Sequence, residues 1–366
     1  MRIVYDHRIF ASQEYGGISR YYVEIAKRIS QAPDVQVGVV GGRYLNVYLR
    51  DAPDSLQVMG RYAPARDSTE YMRRWMNRLM APRMLARFQP DVVHETSYSA
   101  YSIAPRGAKT VVTIHDMIHE LFPDAFSRND STSARKRASV DRADHVICVS
   151  EQTRQDLVHR FDVDPAKTSV IHHGVSAPER PVDLGRTAGQ PFVLYVGKRR
   201  GHKNFETLLR AYAASDQLRE GYDLVAFGGG AFKPWELALL DQLGLDRGRV
   251  RQCGGGDDLL ARLYATAALF VYPSCYEGFG VPLLEAMSFD CPVVCSNVGA
   301  MREVVGDAAD VFDPYSPTEL ALAMERVVSD PVHRGILIQR GRSRVGLFTW
   351  EHCAEQTLNV YRRVLS

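Results

Sequence analysis

The chain has no C-x-x-C pair. Its six cysteines (Cys148, Cys253, Cys275, Cys291, Cys295 and Cys353) are scattered. That spacing excludes a paired-cysteine framework and reads as reduced, mostly buried thiols of a cytosolic protein. No apolar run approaches the ~20 residues that a membrane helix needs, so any membrane contact is peripheral. The opening Met-Arg-Ile-Val-Tyr-Asp-His is a strand carrying charges, not a signal peptide. Neither sign of charge is in excess. The 45 Lys and Arg against 43 Asp and Glu leave a net +2, so no nucleic-acid partner is expected. No low-complexity tract or short repeat is present. The pair Gly16-Gly17 follows the first strand pattern but is not G-x-G-x-x-G, which argues against a nicotinamide cofactor. His115 and His119 stand four apart, yet the zinc motif needs a helix and a Glu beside the first His, and His115 ends a strand. No metal is expected.

What is present is an ordinary globular composition, 45% apolar and 24% charged over 366 residues. That length favours two domains. Strand-like runs at 2–6, 35–41, 92–94, 110–115 and 145–149 alternate with helical patterns such as 19–30 and 71–88. A second series has strands at 192–196, 223–227, 250–253, 268–272 and 292–296, with helices at 205–214, 234–243, 259–267 and 283–289. This alternation predicts α/β architecture with parallel sheets. Residues 176–191, rich in Pro, Gly and charge, read as a linker. Two Rossmann-like domains, 1–175 and 192–350, would then face each other across a cleft. Ligands of such sheets bind beyond the carboxyl ends of the strands.

The densest chemistry lies in Ser274-Cys-Tyr-Glu277-Gly278-Phe279-Gly280-Val-Pro282-Leu-Leu-Glu285. An apolar strand precedes it, a Gly-Phe-Gly turn follows, and Pro282 suits the first helical position, where its missing N–H costs nothing. Glycines let the backbone approach a ligand, and free amides at a helix start favour an anion. Glu277 falls on the loop and Glu285 in the first or second helical turn. Carboxylates accept from hydroxyls, and an amide-held phosphate among carboxylates suits a nucleotide-sugar. Lys203 ends a short basic turn, Lys198-Arg199-Arg200-Gly201-His202, after the strand 192–196. Lys and Arg near a helix start neutralise a diphosphate well. The helical pattern from Tyr71 to Arg87 mixes basic with large apolar residues, as a bilayer-facing helix or an ordinary amphipathic one would, and Pro82 would kink or break it. The run Arg135-Lys136-Arg137 reads as a solvated face.

The E-x7-E spacing of Glu277 and Glu285 resembles the signature of glycosyltransferase family 4, the retaining GT-B enzymes. Four further segments resemble the same family in the right order. They are Asp6 through Gly16-Gly17-Ile-Ser-Arg20-Tyr21, Val170-Ile-His-His-Gly174-Val, Tyr195-Val-Gly197-Lys198 with Lys203-Asn204, and Phe348-Thr-Trp350-Glu. Together they cover nearly the whole chain.

The resemblance implies a role for each matching residue. Lys203 would hold the donor diphosphate, with Lys198, Arg199 or Arg200 as second cation. Glu285 would bind the ribose hydroxyls. Glu277 would reach the donor sugar, with Gly278 and the amides of Phe279 and Gly280 beside it. Gly16 and Gly17 would let donor phosphate or acceptor approach the backbone. His115 would sit near the donor sugar, positioning it or helping with the acceptor proton. The final helix, 351–366, would return to the first, acceptor-side domain. The implied reaction moves a hexose with retention from a nucleotide-diphosphate sugar, without metal or other cofactor, to a glycan acceptor that is lipid-linked at the cytoplasmic face of the inner membrane. The opening of the chain resembles bacterial mannosyl- and rhamnosyltransferases of surface polysaccharide assembly, which puts GDP-mannose or a related deoxyhexose ahead of UDP-glucose or UDP-N-acetylglucosamine. A sugar-nucleotide epimerase shares the architecture, and the E-x7-E block speaks against it.

Overall fold

The computed structural model describes residues 1–64, 70–176 and 190–366. The expected linker lies, but for its ends, outside them. Two compact units form, Met1–Gly174 with Thr349–Ser366, and Val175–Phe348.

The first unit is built on one parallel sheet of β1 (Arg2–Tyr5), β2 (Gln36–Tyr44), β3 (Gln57–Tyr62), β4 (Val92–Glu95), β5 (Lys109–Ile114), β6 (His145–Cys148) and β7 (Thr168–Val170). Their order is β3-β2-β1-β4-β5-β6-β7. The second unit has β8 (Phe192–Val196), β9 (Asp223–Phe227), β10 (Val250–Cys253), β11 (Leu269–Tyr272), β12 (Val293–Ser296) and β13 (Asp310–Phe312), also parallel. Their order is β10-β9-β8-β11-β12-β13. Helices cover both faces, so central strands such as β4, β6, β11 and β12 are buried along their whole length. In each sheet the strand order reverses once, between β1 and β4 and between β8 and β11. A crevice opens at the carboxyl ends of the strands at such a reversal.

Three strands, β3, β7 and β13, were not expected from the sequence. All three are sheet edges. An edge strand packs on one neighbour and is kept short or polar, so it lacks the apolar run that marks a central strand. Gln57 and Arg61 illustrate this in β3. Two other expectations need correction. The helix Glu70–Phe88 runs unbroken through Pro82, its second half held by the buried Ala81, Leu85 and Phe88 beside Val4, Val40 and Val93. Lys136 is not a solvated residue. Its side chain is buried, with Nζ donating to Glu120 Oε2 at 2.7 Å and to the Asp116 carbonyl at 2.9 Å.

The helix Trp350–Leu365 belongs to the first unit and is capped by Thr349, whose hydroxyl accepts from the His352 amide. It buries Cys353, Ala354, Leu358 and Tyr361 against Tyr21, Tyr22, Ile25 and Ile29 of the helix Gly17–Ile29. A Cβ at Gly174 would collide with the Trp350 backbone, so only glycine allows the two segments to cross there. A buried polar chain then ties this helix to the strands. Tyr361 Oη lies 2.6 Å from His94 Nδ1 and 3.0 Å from Tyr5 Oη, and His94 Nε2 lies 2.9 Å from Thr113 Oγ1. Burial pushes the His94 imidazole down to about 3, so it is neutral at pH 7 and its two nitrogens divide into one donor and one acceptor. Replacing Tyr361 by Phe strands the buried His94 Nδ1. The loss should be about 2 kcal/mol, read as a lower urea midpoint by far-UV circular dichroism. An unchanged midpoint would show that the chain of hydrogen bonds adds no net stability.

Candidate functional site

In the second unit the chain leaves β8 at Gly197, whose φ of +141° favours glycine. It passes Lys198, Arg199 and Arg200 and closes a 3-10 turn, Gly201–Lys203. Asn204, left-handed at φ +55°, starts the helix Phe205–Ala214. Next to β8 in the sheet, β11 ends at Tyr272 and opens the loop that carries Glu277. Three links join the two loops. The Cys275 amide donates to the His202 carbonyl at 2.7 Å. Asn204 Nδ2 donates to the carbonyls of Pro273 and Pro314 at 3.0 and 2.7 Å. Lys203 Nζ donates to Glu277 Oε1 at 2.6 Å and to Tyr272 Oη at 3.0 Å.

The sequence therefore placed Lys203 and Glu277 in one site, and the structure brings them into direct contact. Glu277 is 8% exposed. Burial alone would raise its carboxyl, but the Lys203 ammonium outweighs that and holds it below the usual carboxylate range. It is ionised at neutral pH. The Tyr272 phenol is pushed well above its ordinary value by burial and then by Glu277, so it stays protonated.

Glu285 lies in the second turn of the helix Val281–Ser288 and accepts from Tyr264 Oη at 3.3 Å. Gly280 caps that helix at φ +102°, and a Cβ there would come within 2.9 Å of Leu283 Cδ1. Pro282 is the second helical residue, one later than expected. Phe279 is buried with its ring 5.7 Å from that of Phe348, so the side chain is core and only its backbone can serve a ligand.

Arg199 departs from the expected role. Its guanidinium is buried and each of its three nitrogens donates. Nε donates to Glu236 Oε1 at 2.7 Å, Nη1 to the Gly228 carbonyl at 2.5 Å, and Nη2 to the Gly230 carbonyl at 2.7 Å. It also lies 4.8 Å over the Phe232 ring. Residues 228–230 are all left-handed glycines, and a Cβ at Gly229 would fall 2.8 Å from Arg199 Nη1. Arg199 thus folds the glycine loop after β9, and its buried guanidinium is held by that loop and Glu236. Lys198 and Arg200 are exposed and have no ion-pair partner among the described residues. They remain as the candidate second cation. Glu236, Tyr272, Tyr264 and the tying role of Asn204 were not read from the sequence, because their partners come from distant segments. Only Asn204, next to Lys203, carried a local hint.

In the first unit Gly16 caps the helix Gly17–Ile29, and no heavy atom lies within 4 Å of a Cβ built at Gly17, which leaves open space there. His115 follows β5. Both its ring nitrogens are buried without a hydrogen-bond partner among the described residues, and its ring stacks on His173 at 5.5 Å. Burial, then the neighbouring His173, His94 and Lys136, keep it well below its ordinary value and neutral. Two unsatisfied nitrogens cost about 1–3 kcal/mol each, a cost that a bound polar group would remove. Among the described residues no group of three or more His, Cys, Asp or Glu is arranged to hold a metal ion, and no helix is long and apolar enough to cross a membrane.

Two parallel sheets, each with helices on both faces and polar residues gathered where the strand order reverses, define a doubly wound α/β class. The family models for glycosyl transferases group 1 and Glycosyltransferase Family 4 match residues 177–344 and 15–179. The O-antigen chain mannosyltransferase B of Escherichia coli is 34% identical over 69% of this chain and 70% of that protein. Sucrose-phosphate synthase of Thermosynechococcus elongatus superposes with a TM-score of 0.75 at 22% identity, over 100% of this chain and 99% of that one. Anabaena HepE, solved with UDP and glucose, gives a TM-score of 0.72 at 19% identity, over 98% and 99%. This chain belongs to the family 4 glycosyltransferases, with the GT-B fold.

Removing Arg199 leaves the Glu236 carboxylate buried and unpaired. Arg199→Ala should therefore cost about 3–5 kcal/mol, against less than about 0.5 kcal/mol for Arg200→Ala, both read from thermal unfolding. A folded, fully stable R199A protein with weakened donor binding would restore Arg199 as a phosphate ligand.

Proposed function

We propose that this glycosyltransferase moves a hexose, mannose or a related deoxyhexose, with retention from a GDP-sugar to a growing cell-surface glycan of the O-antigen or exopolysaccharide type. The observation that carries the reading is the Lys203–Glu277 contact at the β8/β11 reversal. In the free protein each charge neutralises the other. A donor diphosphate would draw Lys203 to itself and release a Glu277 oxygen to accept from the sugar hydroxyls. The anomeric C–O bond to phosphate breaks, and the leaving diphosphate gains charge that Lys203, an exposed neighbour (Lys198 or Arg200) and the backbone amides of the loop stabilise without a metal. The new bond forms between the anomeric carbon and the acceptor oxygen, and the acceptor proton passes to the departing phosphate oxygen. Glu285 would hold the ribose, and neutral His115 would position the sugar or acceptor. The acceptor is proposed to be lipid-linked, met at the cytoplasmic membrane face by peripheral contact.

The choice of mannose rests on the mannosyltransferase likeness, which covers most of the chain. The likeness to a structure holding UDP and glucose supports UDP-glucose as the second donor.

Two measurements test this. Nucleotide diphosphate release from GDP-, UDP-, dTDP- and ADP-sugars, with mixed glycan acceptors and a chelator present, should occur from GDP-mannose or a related GDP-sugar and rise with acceptor. Release only with added metal, or from a UDP-sugar alone, would overturn the corresponding part. Lys203→Ala should lower turnover about 10²–10³-fold, whereas His172→Ala should be mild. Equal, small effects would remove Lys203 from the site.

A further inference from the structure

The reversal point of the first sheet opens on a cavity of about 660 Å3 that the donor chemistry leaves unassigned. His7 and Arg8 reach it from the end of β1, Ser99 and Tyr101 from the end of β4, Trp75 and Arg78 from the helix Glu70–Phe88, and Arg135 from the helix Thr132–Arg142. Among the described residues every formal charge on its wall is positive.

The three arginines are not equivalent. Arg8 is balanced by Asp6 at 2.5 Å and Glu95 at 3.7 Å. Its Nη2 donates to the Tyr101 carbonyl at 2.7 Å. Arg78 and Arg135 are exposed and have no carboxylate within ion-pair distance among the described residues. The guanidinium carbons of Arg8 and Arg78 lie 5.4 and 5.3 Å from the centre of the Tyr101 ring. Two cations thus lie against one aromatic ring, and only one of them, Arg8, has carboxylate partners. An anion entering the cavity would supply the missing charge, and guanidinium groups match phosphate or carboxylate oxygens in pairs.

The rest of the wall suits a sugar. Trp75 is 56% exposed and Tyr101 48%, large apolar faces against which the C–H face of a pyranose can stack. Serine hydroxyls stand beside them. His7 Nδ1 is buried without a hydrogen-bond partner, and burial keeps the ring below its ordinary value, so it is a neutral group that can bond a hydroxyl.

We propose that this cavity is the acceptor subsite and that it recognises a sugar carrying an anionic group, phosphate or carboxylate, through Arg78 and Arg135. The proposal rests on the glycosyl-transfer reading and adds to it the class of acceptor.

The test is equilibrium binding of glucose 1-phosphate, glucuronate and glucose to the full chain by calorimetry, in the unaltered protein, in R78A/R135A, in Trp75→Ala and in Lys203→Ala. Thermal unfolding checks that each variant is folded. One or both anionic sugars should bind about tenfold or more tighter than glucose. R78A/R135A should abolish that margin, Trp75→Ala should weaken all three ligands alike, and Lys203→Ala should leave the margin in place. A margin for glucose 1-phosphate assigns phosphate, and one for glucuronate assigns carboxylate. The proposal is overturned if neither anion is preferred, or if Lys203→Ala removes the preference while R78A/R135A keeps it. Failure of the glycosyl-transfer reading would appear separately, as no nucleotide diphosphate release from any donor by the unaltered protein.

Discussion

Lys203 and Glu277 are 74 residues apart in the chain and 2.6 Å apart in space. The parallel pairing of β8 with β11, Tyr195 opposite Val271, is what closes that distance. Parallel strands must be joined by crossovers that return the chain to the same edge. Every βα loop of the sheet therefore leaves at one side. Where the order reverses, two successive loops diverge to opposite faces and leave a gap instead of filling it. The basic turn after β8 and the glycine loop after β11 border that gap. The His202–Cys275 and Asn204–Pro273 hydrogen bonds lock their spacing.

The buried charges of the second unit divide into two uses. Arg199 and Glu236 are both nearly inaccessible, and each is also bonded to backbone, in one case the Gly228, Gly230 and Ala231 carbonyls and in the other the Lys233 amide. Such a pair is structural, since its charges face each other and the surrounding backbone away from solvent. Lys203 and Glu277 have the same charge relation but fewer partners, and they lie on loops at the ligand edge of the sheet. In the proposed reaction an incoming diphosphate would replace the carboxylate as the partner of Lys203 without emptying the site of counter-charge. Two salt bridges of similar length thus have different meanings, decided by how many of their hydrogen-bonding groups remain unspent.

The first unit repeats the topological device with different chemistry. Its reversal at β1 and β4 gathers arginines, serines and exposed aromatic rings, with the carboxylates Asp6 and Glu95 paired to Arg8. Behind that edge the polar chain of Tyr5, His94, Thr113 and Tyr361 fixes the returning helix Trp350–Leu365. The segment that ends the chain therefore sets the packing of strands that begin it.

The alternation of apolar runs with helical patterns was enough to establish two parallel α/β units, and β8 and β9 were bounded to the residue, because a strand buried on both faces is mostly apolar. The edge strands β3, β7 and β13 escaped, since a strand with one neighbour needs no such run. Local spacing also marked the site candidates, Glu277 and Glu285 through the glycine turn and helix start between them and Lys203 through the basic turn that it ends. Whether a cation is free or spent is different. Lys198, Arg199 and Arg200 are adjacent and read alike, yet one is buried against Glu236 and the carbonyls of Gly228 and Gly230 while its neighbours are exposed. Lys136, within a run that reads as surface, is buried on Glu120. The partners that decide these cases lie tens of residues away, on other elements. Charge and spacing are properties of the sequence, but the environment that spends a charge or leaves it available exists only once the sheets have paired.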